Sequence, residues 1–330
     1  MPSSVTHTYF GMDVYDKLNA IIKDRFCEDI ELYKVFCQGP DVLYFYNNFI
    51  GKEAKKIFDL GSTVHTKDTR CFFKRLIYYI NDNNLYGKSS IVSFLYGYMC
   101  HYFLDSMCHP FIFYKTGKFN SKDVSSYKYN ALHFDMEFFI DRYMIHDREK
   151  INPCKYKIHK MFLNVNGMDS ELKKCINYTY SIFYDNDKDD MWKVYLKSIN
   201  DMRLFFRIIS YDYFGIKKKF YSFIDSFTPK WITKIESFSY RGDYEKKKMY
   251  LNMDHDKWFH PCDKKVSYTY SFFDLYNMAI DKCEYAIEEV DRMLSSGNIN
   301  ERKLNVIFKN LSYLTGLDCD SKLELKYFEF

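Results

Sequence analysis

The sequence predicts an all-α protein, a multi-helix bundle, on two observations. Apolar residues recur at helical spacing in eight segments, which are 13–24, 66–81, 89–108, 131–147, 171–183, 190–211, 268–295 and 300–313. Only 12 glycines and 6 prolines interrupt the 330 residues, and no alternation of apolar and polar residues is long enough to indicate a sheet. Several segments begin at Ser, Thr, Asp or Asn, which are the residues that cap helix N-termini.

Three candidate ligands lie at the edges of the first predicted elements. His7 stands just before the first helical pattern, and Asp41 closes the turn Gln-Gly-Pro-Asp at 38–41. His65 comes directly before the helical run at 66–80. Imidazole and carboxylate groups together favour zinc or another first-row divalent ion over calcium or magnesium.

The third segment is nearly all apolar but contains one polar stripe. His101, Asp105 and His109 follow one another at four-residue intervals, which places them on one helix face. Asp105 is the only charged residue between 89 and 114, and a lone buried carboxylate is costly unless a cation neutralises it. A central Asp is also expensive in lipid, so we expect a buried core helix and no transmembrane segment. Pro110 disfavours helical geometry at His109, so that side chain is expected to turn away from the stripe and reach another metal.

A second stripe follows in the segment 131–147. His133 and Glu137 share a helix face, with Asp135 beside them. One His-Asp pair alone is more often a hydrogen-bonded pair than a metal site, but the full set of eight candidate ligands favours a centre of two or three metal ions. Clustered ions suit displacement at phosphorus, where one activates water and others hold the oxygens that develop charge.

This ordered set resembles the zinc-dependent phospholipase C family, all-helical proteins related to the secreted bacterial phospholipases C and the P1/S1 nucleases. The residues that carry the resemblance are Thr6-His7, Gly39-Pro40-Asp41, His65, His101-xxx-Asp105-xxx-His109 and His133-xxx-Glu137. The resemblance implies a first zinc surrounded by Asp41, His65, His101 and Asp105. It implies a second zinc bound by His109, His133 and Glu137, and a third shared by His7 and a bridging Asp105.

Two features depart from the family pattern. Secreted members complete the third zinc with the amino group and carbonyl of a mature N-terminal Trp, whereas Met1 and Pro2 stand here and only six residues precede His7. We therefore expect the third ion to bind weakly or through another ligand. The spacing from Asp105 to His109 is also shorter than in the secreted phospholipases.

The resemblance implies a zinc-dependent hydrolase of phosphodiester bonds, phospholipase C-like, with Zn²⁺ as cofactor and Asp41 as ligand and catalytic base. A nuclease of the P1/S1 type and a helical binding or structural protein without catalysis are the alternatives. The expected partner is a phosphoester substrate such as a phospholipid head group. Scattered glycines offer no phosphate-binding loop that would compete for this role.

The C-terminal half is less distinctive. We expect a polar aromatic loop at 251–261 and a helix at 267–286, a stretch similar to one in non-secreted members of the same family. His255 or His260 could be an accessory ligand there, but the favoured interpretation is a loop anchored by Trp258 with both histidines exposed. The lysine runs 217–219 and 246–248 could make a peripheral membrane contact, although such runs are more often solvated faces.

Composition bounds the remaining expectations. The net charge of +4 is modest, and no dedicated nucleic-acid-binding domain is indicated. Ten cysteines without paired spacing predict free thiols in a reducing compartment, and the first 30 residues show no secretory signal, so a cytoplasmic protein is expected. The helical pattern is sparsest at 148–170, so residues 1–150 are predicted to form the metal-binding core and 151–330 a helical half packed on it as one globular unit.

Overall fold

Helices make up nearly all of the regular structure in this computed structural model, which describes residues 4–160, 165, 168–184, 190–240 and 248–329. The α-helices within those ranges are α1 Ser4–Lys17, α2 Ala20–Asp24, α3 Ile30–Phe36, α4 Lys52–Thr66, α5 Thr69–Asp82, α6 Ser89–Thr116, α7 Leu132–Glu149, α8 Ser170–Tyr180, α9 Met191–Phe205, α10 Ile216–Phe227, α11 Phe272–Ser296 and α12 Glu301–Ile307. A long 3-10 segment, Gly39–Phe49, precedes α4, and a π-helical turn, Phe206–Ser210, follows α9. The predicted all-α class is confirmed.

The longest helix, α6, lies at the centre of the bundle. It packs against α1, α3, α7 and α11, and nearly all of its side chains are buried. A helix that is apolar on every side has to be enclosed in this way. Among the described residues no helix is long and apolar enough to cross a membrane.

Pro110 does not end α6, which continues to Thr116. The predicted loss of helical geometry at His109 is therefore wrong, whereas the predicted reach toward another group of ligands is seen, since His109 Nε2 lies 3.3 Å from Glu137 Oε1. Proline removes the hydrogen bond to the carbonyl of residue 106. Gly316 packs close to that carbonyl, since a Cβ at Gly316 would lie 2.5 Å from the Ser106 oxygen.

Several element boundaries differ from the predicted ones. The pattern at 13–24 is two helices, because Asn19 caps α2 by accepting a hydrogen bond from the Ile22 amide at 3.1 Å. His7 lies inside α1, and His65 lies in the last turn of α4 rather than before a helix. The segment predicted as helical at 300–313 leaves helical geometry after Ile307.

The predicted absence of a sheet and the predicted loop at 251–261 need correction. The strands β1, Trp258–His260, and β2, Asp263–Tyr268, form an antiparallel hairpin in which Trp258 faces Tyr268. The following helix, α11, begins at Phe272 rather than at 267. A reciprocal capping box fixes this start, because Ser271 and Asp274 each accept the other's backbone N–H.

Helices from the C-terminal half pack against elements of the N-terminal half. Helix α11 packs against α1 and α6, while α9 packs against the segment Gly39–Phe49. Residues 161–164 and 166–167, within the predicted boundary at 148–170, lie outside the described residues, as do 246 and 247 of the second lysine run. The division at residue 150 remains a prediction.

Candidate metal centre

The eight predicted ligands come from five elements of the N-terminal half. His7 lies on α1, Asp41 on Gly39–Phe49 and His65 on α4. The remaining five lie on two adjacent helices, with His101, Asp105 and His109 on α6 and His133 and Glu137 on α7. Because α6 packs against both α1 and α7, residues distant in sequence meet on one side of it.

Four of these residues form a first group, His7, Asp41, His101 and Asp105, whose ligand atoms all lie within 4.8 Å of one another. His7 Nε2 lies 3.2 Å from Asp105 Oδ1, and His101 Nε2 lies 3.1 Å from Asp105 Oδ2. His65 borders this group, with its Nε2 2.9 Å from Asp41 Oδ1 and 3.9 Å from Asp105 Oδ2.

The other three residues, His109, His133 and Glu137, form a second group. The Nε2 atoms of His109 and His133 lie 3.3 Å and 3.1 Å from Glu137 Oε1. His109 also links the two groups, because its Nδ1 lies 3.4 Å from Asp105 Oδ2. Asp135, which stands beside these ligands in the sequence, is in neither group.

Seven of the eight side chains are buried, and His133 is the partly exposed one, with 19% of its side chain accessible. Burial raises the pKa of the Asp105 carboxyl, but the charges of His109, His101 and His7 outweigh it and hold that pKa well below its usual range. Burial lowers the pKa of His101 and of His133, despite their carboxylate neighbours. For His7 and His109 burial also lowers the pKa, but the charge of Asp105 outweighs it and raises both. The centre therefore combines ionised carboxylates with two imidazoles, His101 and His133, that readily lose a proton.

Backbone carbonyls orient three of the histidines. His65 Nδ1 donates to the Gly61 carbonyl at 2.7 Å, His109 Nδ1 to that of Tyr313 at 3.0 Å, and His101 Nδ1 to that of Cys37 at 3.3 Å. A carbonyl can only accept, so in the neutral ring the lone pair is on Nε2, which faces a carboxylate oxygen in all three. The Nε2 atom and the carboxylate oxygen are both acceptors and repel each other at that distance unless a cation binds both. Metal-binding histidines are commonly oriented by such a hydrogen bond from the other ring nitrogen.

Several buried atoms of the first group have no hydrogen-bond partner, namely His7 Nδ1, Asp41 Oδ2, His101 Nε2 and Asp105 Oδ2. Each buried polar atom left without a partner costs about 1–3 kcal/mol. Four such atoms in one cluster are difficult to explain in a folded protein, whereas divalent ions would satisfy the carboxylate oxygens and Nε2. The mixture of imidazole and carboxylate donors fits zinc.

Two residues near the ligands, Gly39 and Asp141, determine how the elements that carry the ligands pack on α6 and α7. Gly39 has φ +51°, and a Cβ there would lie 2.4 Å from His101 Cγ, so only glycine permits the close approach of Asp41 to α6. Asp141 on α7 accepts the backbone N–H of Val5 at 3.2 Å and of Thr6 at 2.8 Å. These two hydrogen bonds hold the first turn of α1 at the residues just before His7.

Sequence reasoning missed both Asp141 and the Tyr313 carbonyl. Asp141 stands four residues after Glu137, so the His133-Glu137 spacing, extended by one step, could have identified it. The Tyr313 carbonyl could not have been found, because a backbone atom leaves no signal in residue types.

The two predicted accessory histidines do not join either group. His255 is exposed, and its Nδ1 lies 3.1 Å from the Thr269 carbonyl. The expectation of an exposed side chain is wrong for His260, which is buried and whose Nε2 donates to the Thr315 carbonyl at 3.0 Å. The ring of Trp258 anchors the hairpin, as expected, by packing on Tyr268 with the ring centroids 4.5 Å apart.

A family model described as zinc dependent phospholipase C matches residues 6–198, more than half of the chain. The chain belongs to the zinc-dependent phospholipase C family. The matched span contains all eight predicted ligands, and the resemblance found in the sequence is confirmed. No curated protein and no solved structure matches the chain.

Family membership together with the two buried clusters supports a zinc-dependent hydrolase. Residues 1–3, on which the expectation for a third zinc depends, lie outside the described residues.

Proposed function

We propose that this member of the zinc-dependent phospholipase C family hydrolyses phosphodiester bonds with two or three zinc ions. The observation that carries the proposal is the set of buried atoms in the first group that have no hydrogen-bond partner. These atoms lie beside histidine rings that backbone carbonyls already orient. Carboxylates and imidazoles gathered in this way would make a poor packing core but a suitable ligand shell.

The two groups suggest how the ligands divide between ions. The first group would bind its metal through His7, Asp41, His65, His101 and Asp105. A separate ion would be held by His109, His133 and Glu137. Asp105 is suited to bridge, because its oxygens lie within 3.4 Å of nitrogens of His7, His101 and His109. Bound zinc supplies the Lewis acidity that activates water for attack on phosphorus and stabilises the charge that develops.

Asp41 is the residue best placed to handle the proton of the attacking water. Its Oδ1 lies 2.9 Å from His65 Nε2, where one ion would bind both atoms, while Oδ2 has no hydrogen-bond partner and is left for water. Burial raises the pKa of Asp41, but His101 and His65 outweigh burial and lower it, so the carboxylate is ionised at neutral pH. We assign Oδ2 the role of orienting the water and accepting its proton.

Substrate would approach along the edge marked by His133. Its side chain is 19% exposed, against 4% or less for the other ligands. A phosphoester reaching the centre from that side meets the second group first. The substrate class follows from the family, and a phospholipid head group is the proposed form.

The test compares three substrates with zinc-loaded protein: a chromogenic phosphocholine ester, phosphatidylcholine in mixed micelles and single-stranded DNA. We expect hydrolysis of the two choline substrates, its loss on chelation and its return with zinc. Glu137→Gln should abolish turnover, and Asp135→Asn, which changes a carboxylate of the same helix outside both groups, should leave it nearly intact. Cleavage of DNA alone would indicate a nuclease. Zinc binding without hydrolysis of any phosphoester would indicate metals that only stabilise the fold.

We propose a reducing compartment, such as the cytoplasm, for this protein. None of the ten cysteines forms a disulfide bond, and six of them are buried. Cys100 and Cys283 lie with their sulfur atoms 3.7 Å apart, well beyond the length of a disulfide bond.

A further inference from the structure

Helix α10 exposes its apolar side chains to solvent. Four of them, spaced four, three and four residues apart, share one helix face and are between 58% and 75% exposed: Ile216, Phe220, Phe223 and Phe227. The buried residues of the helix are Tyr221 and Asp225. A helix on the surface of a globular protein ordinarily has the reverse arrangement, with apolar residues facing the core.

The segments on both sides of α10 extend this feature. Tyr213 and Phe214 precede the helix, Trp231 and Ile232 follow it, and all four are exposed. Residues 213–232, here named the α10 surface, therefore present eight large apolar side chains, six of them aromatic. Single exposed apolar residues are ordinary, but a concentration of this kind marks a surface that binds something.

The charge that this surface presents is positive. Its two neighbouring aspartates are buried and accept backbone N–H groups, Asp212 from Lys218 at 2.9 Å and Asp225 from Glu236 at 2.8 Å. Lys219 and Lys230 are exposed and make no ion pair within the part of the chain that the structure describes. Aromatic side chains flanked by such lysines are typical of helices that lie in the interface of an anionic membrane.

We infer that the α10 surface docks on an anionic lipid bilayer, with Phe220, Phe223 and Phe227 inserted among the acyl chains and Lys219 and Lys230 at the lipid phosphates. A second copy of the chain is a poorer occupant. A two-fold contact places the same patch on both subunits, so it would bring two positively charged patches together.

The α10 surface is fastened to the end of α7 that carries His133. Asn130, just before α7, donates its side-chain amide to the carbonyls of Lys230 at 2.8 Å and Ile232 at 2.7 Å. The segment Ile235–Phe238 packs on both α10 and α7, where the rings of Phe238 and Phe134 lie 5.1 Å apart. A bilayer bound by α10 would thus lie near the accessible edge of the metal centre. This consequence for substrate delivery rests on the proposed function, whereas membrane binding itself does not.

The test measures sedimentation of the zinc-loaded protein, residues 1–330, with vesicles of phosphatidylcholine, alone or mixed with phosphatidylglycerol. We expect binding to the mixed vesicles that weakens with added salt. Phe220→Asp/Phe223→Asp should lower the partition coefficient by about tenfold or more, because charge replaces the apolar area that inserts. Ile21→Asp and Val306→Asp change equally exposed apolar residues on α2 and α12 and should bind as the wild type does.

Lys219→Glu/Lys230→Glu separates the electrostatic part of the interaction. It should weaken binding to the mixed vesicles and leave any binding to phosphatidylcholine alone unchanged. No binding of the wild type to mixed vesicles, or equal binding by the Phe220→Asp/Phe223→Asp variant, would overturn the inference. The wild type could instead be a dimer that does not bind vesicles and that Phe220→Asp/Phe223→Asp converts to a monomer. That result would assign the surface to the interface with a second copy of the chain.

Two further measurements keep this inference separate from the proposed function. Glu137→Gln, which should lose hydrolysis, should still bind vesicles. The Phe220→Asp/Phe223→Asp variant should still cleave a soluble chromogenic phosphodiester but lose activity on bilayer lipid. If no substrate is hydrolysed, vesicle binding still decides the role of α10.

Discussion

Asp41 carries the proposed chemistry although it lies outside the two helices that hold most of the ligands. Asp41→Asn should keep the fold and part of the metal, because an amide oxygen can still bind, but it cannot accept the proton of water. We expect turnover to fall by roughly two to four powers of ten, as is typical for loss of a general base. Asp105→Asn should instead cost metal and stability together. Near wild-type turnover in Asp41→Asn, measured at saturating zinc, would remove Asp41 from the mechanism.

Asp141 gives a prediction for pH dependence. Burial raises its pKa from the ordinary value of 3.8 to about 6, even though it accepts hydrogen bonds from Val5, Thr6 and Tyr240. Between those values the folded chain holds a proton that the unfolded chain releases. The stability that this proton contributes is therefore present at low pH and is lost as pH rises through about 6.

Asp141→Asn, which cannot titrate, isolates this contribution. The advantage of the wild type in unfolding free energy should shrink by about 1 to 2 kcal/mol between pH 5 and pH 7.5. Urea unfolding of both proteins at each pH measures the difference. An advantage that stays constant or grows as pH rises would show that Asp141 is already ionised in the folded state.

At the scale of elements, the loop after α12 is the least obvious support of the metal centre. The Tyr313 amide donates to the His65 carbonyl at 2.8 Å, and the Tyr313 carbonyl accepts from His109 Nδ1 at 3.0 Å. Gly316 seats this loop against α6, where a Cβ would lie 2.5 Å from the Ser106 oxygen. The loop thus orients the ring of His109, although Tyr313 lies outside residues 6–198, which the family model matches.

Gly316→Ala should displace this loop and weaken zinc binding by the second group about 10- to 100-fold, the usual effect of losing a partner that orients a ligand. Gly297→Ala is the matched control, because Gly297 has a similar positive φ, +67° against +63°, but nothing within 4 Å of its Cβ. The control should show only backbone strain, about 1–2 kcal/mol. Zinc titrations that do not distinguish the two variants would deny the loop this role.

The sequence revealed those parts of the site that follow helical periodicity. The stripes on α6 and α7 were predicted because a four-residue spacing returns to the same helix face. His7 and His65 were predicted as ligands but placed outside helices, since the apolar patterns that marked α1 and α5 begin after them. Helix α10 was not predicted, although Ile216, Phe220, Phe223 and Phe227 recur at helical spacing, and the capping box at Ser271 was not used to locate the start of α11.

At the scale of the whole molecule, the centre joins five elements of the N-terminal half. Without metal, carboxylates and imidazoles would face one another in the interior, so stripping zinc with a strong chelator should lower the free energy of unfolding by several kcal/mol. Thermal unfolding with and without chelator, followed by zinc restoration, measures this. A melting temperature that chelation leaves unchanged would mean that these residues do not form a buried metal site.

The number of zinc ions bound per chain tests the central claim most directly. Native mass spectrometry of purified protein, with elemental analysis to identify the metal, should find two or three zinc ions. Glu137→Gln should lose one of them, because Glu137 lies within 3.3 Å of both histidines of the second group, while Asp135→Asn should keep the wild-type number. A wild-type protein that binds no zinc after saturation, or a Glu137→Gln variant that retains every ion at wild-type affinity, would contradict the account.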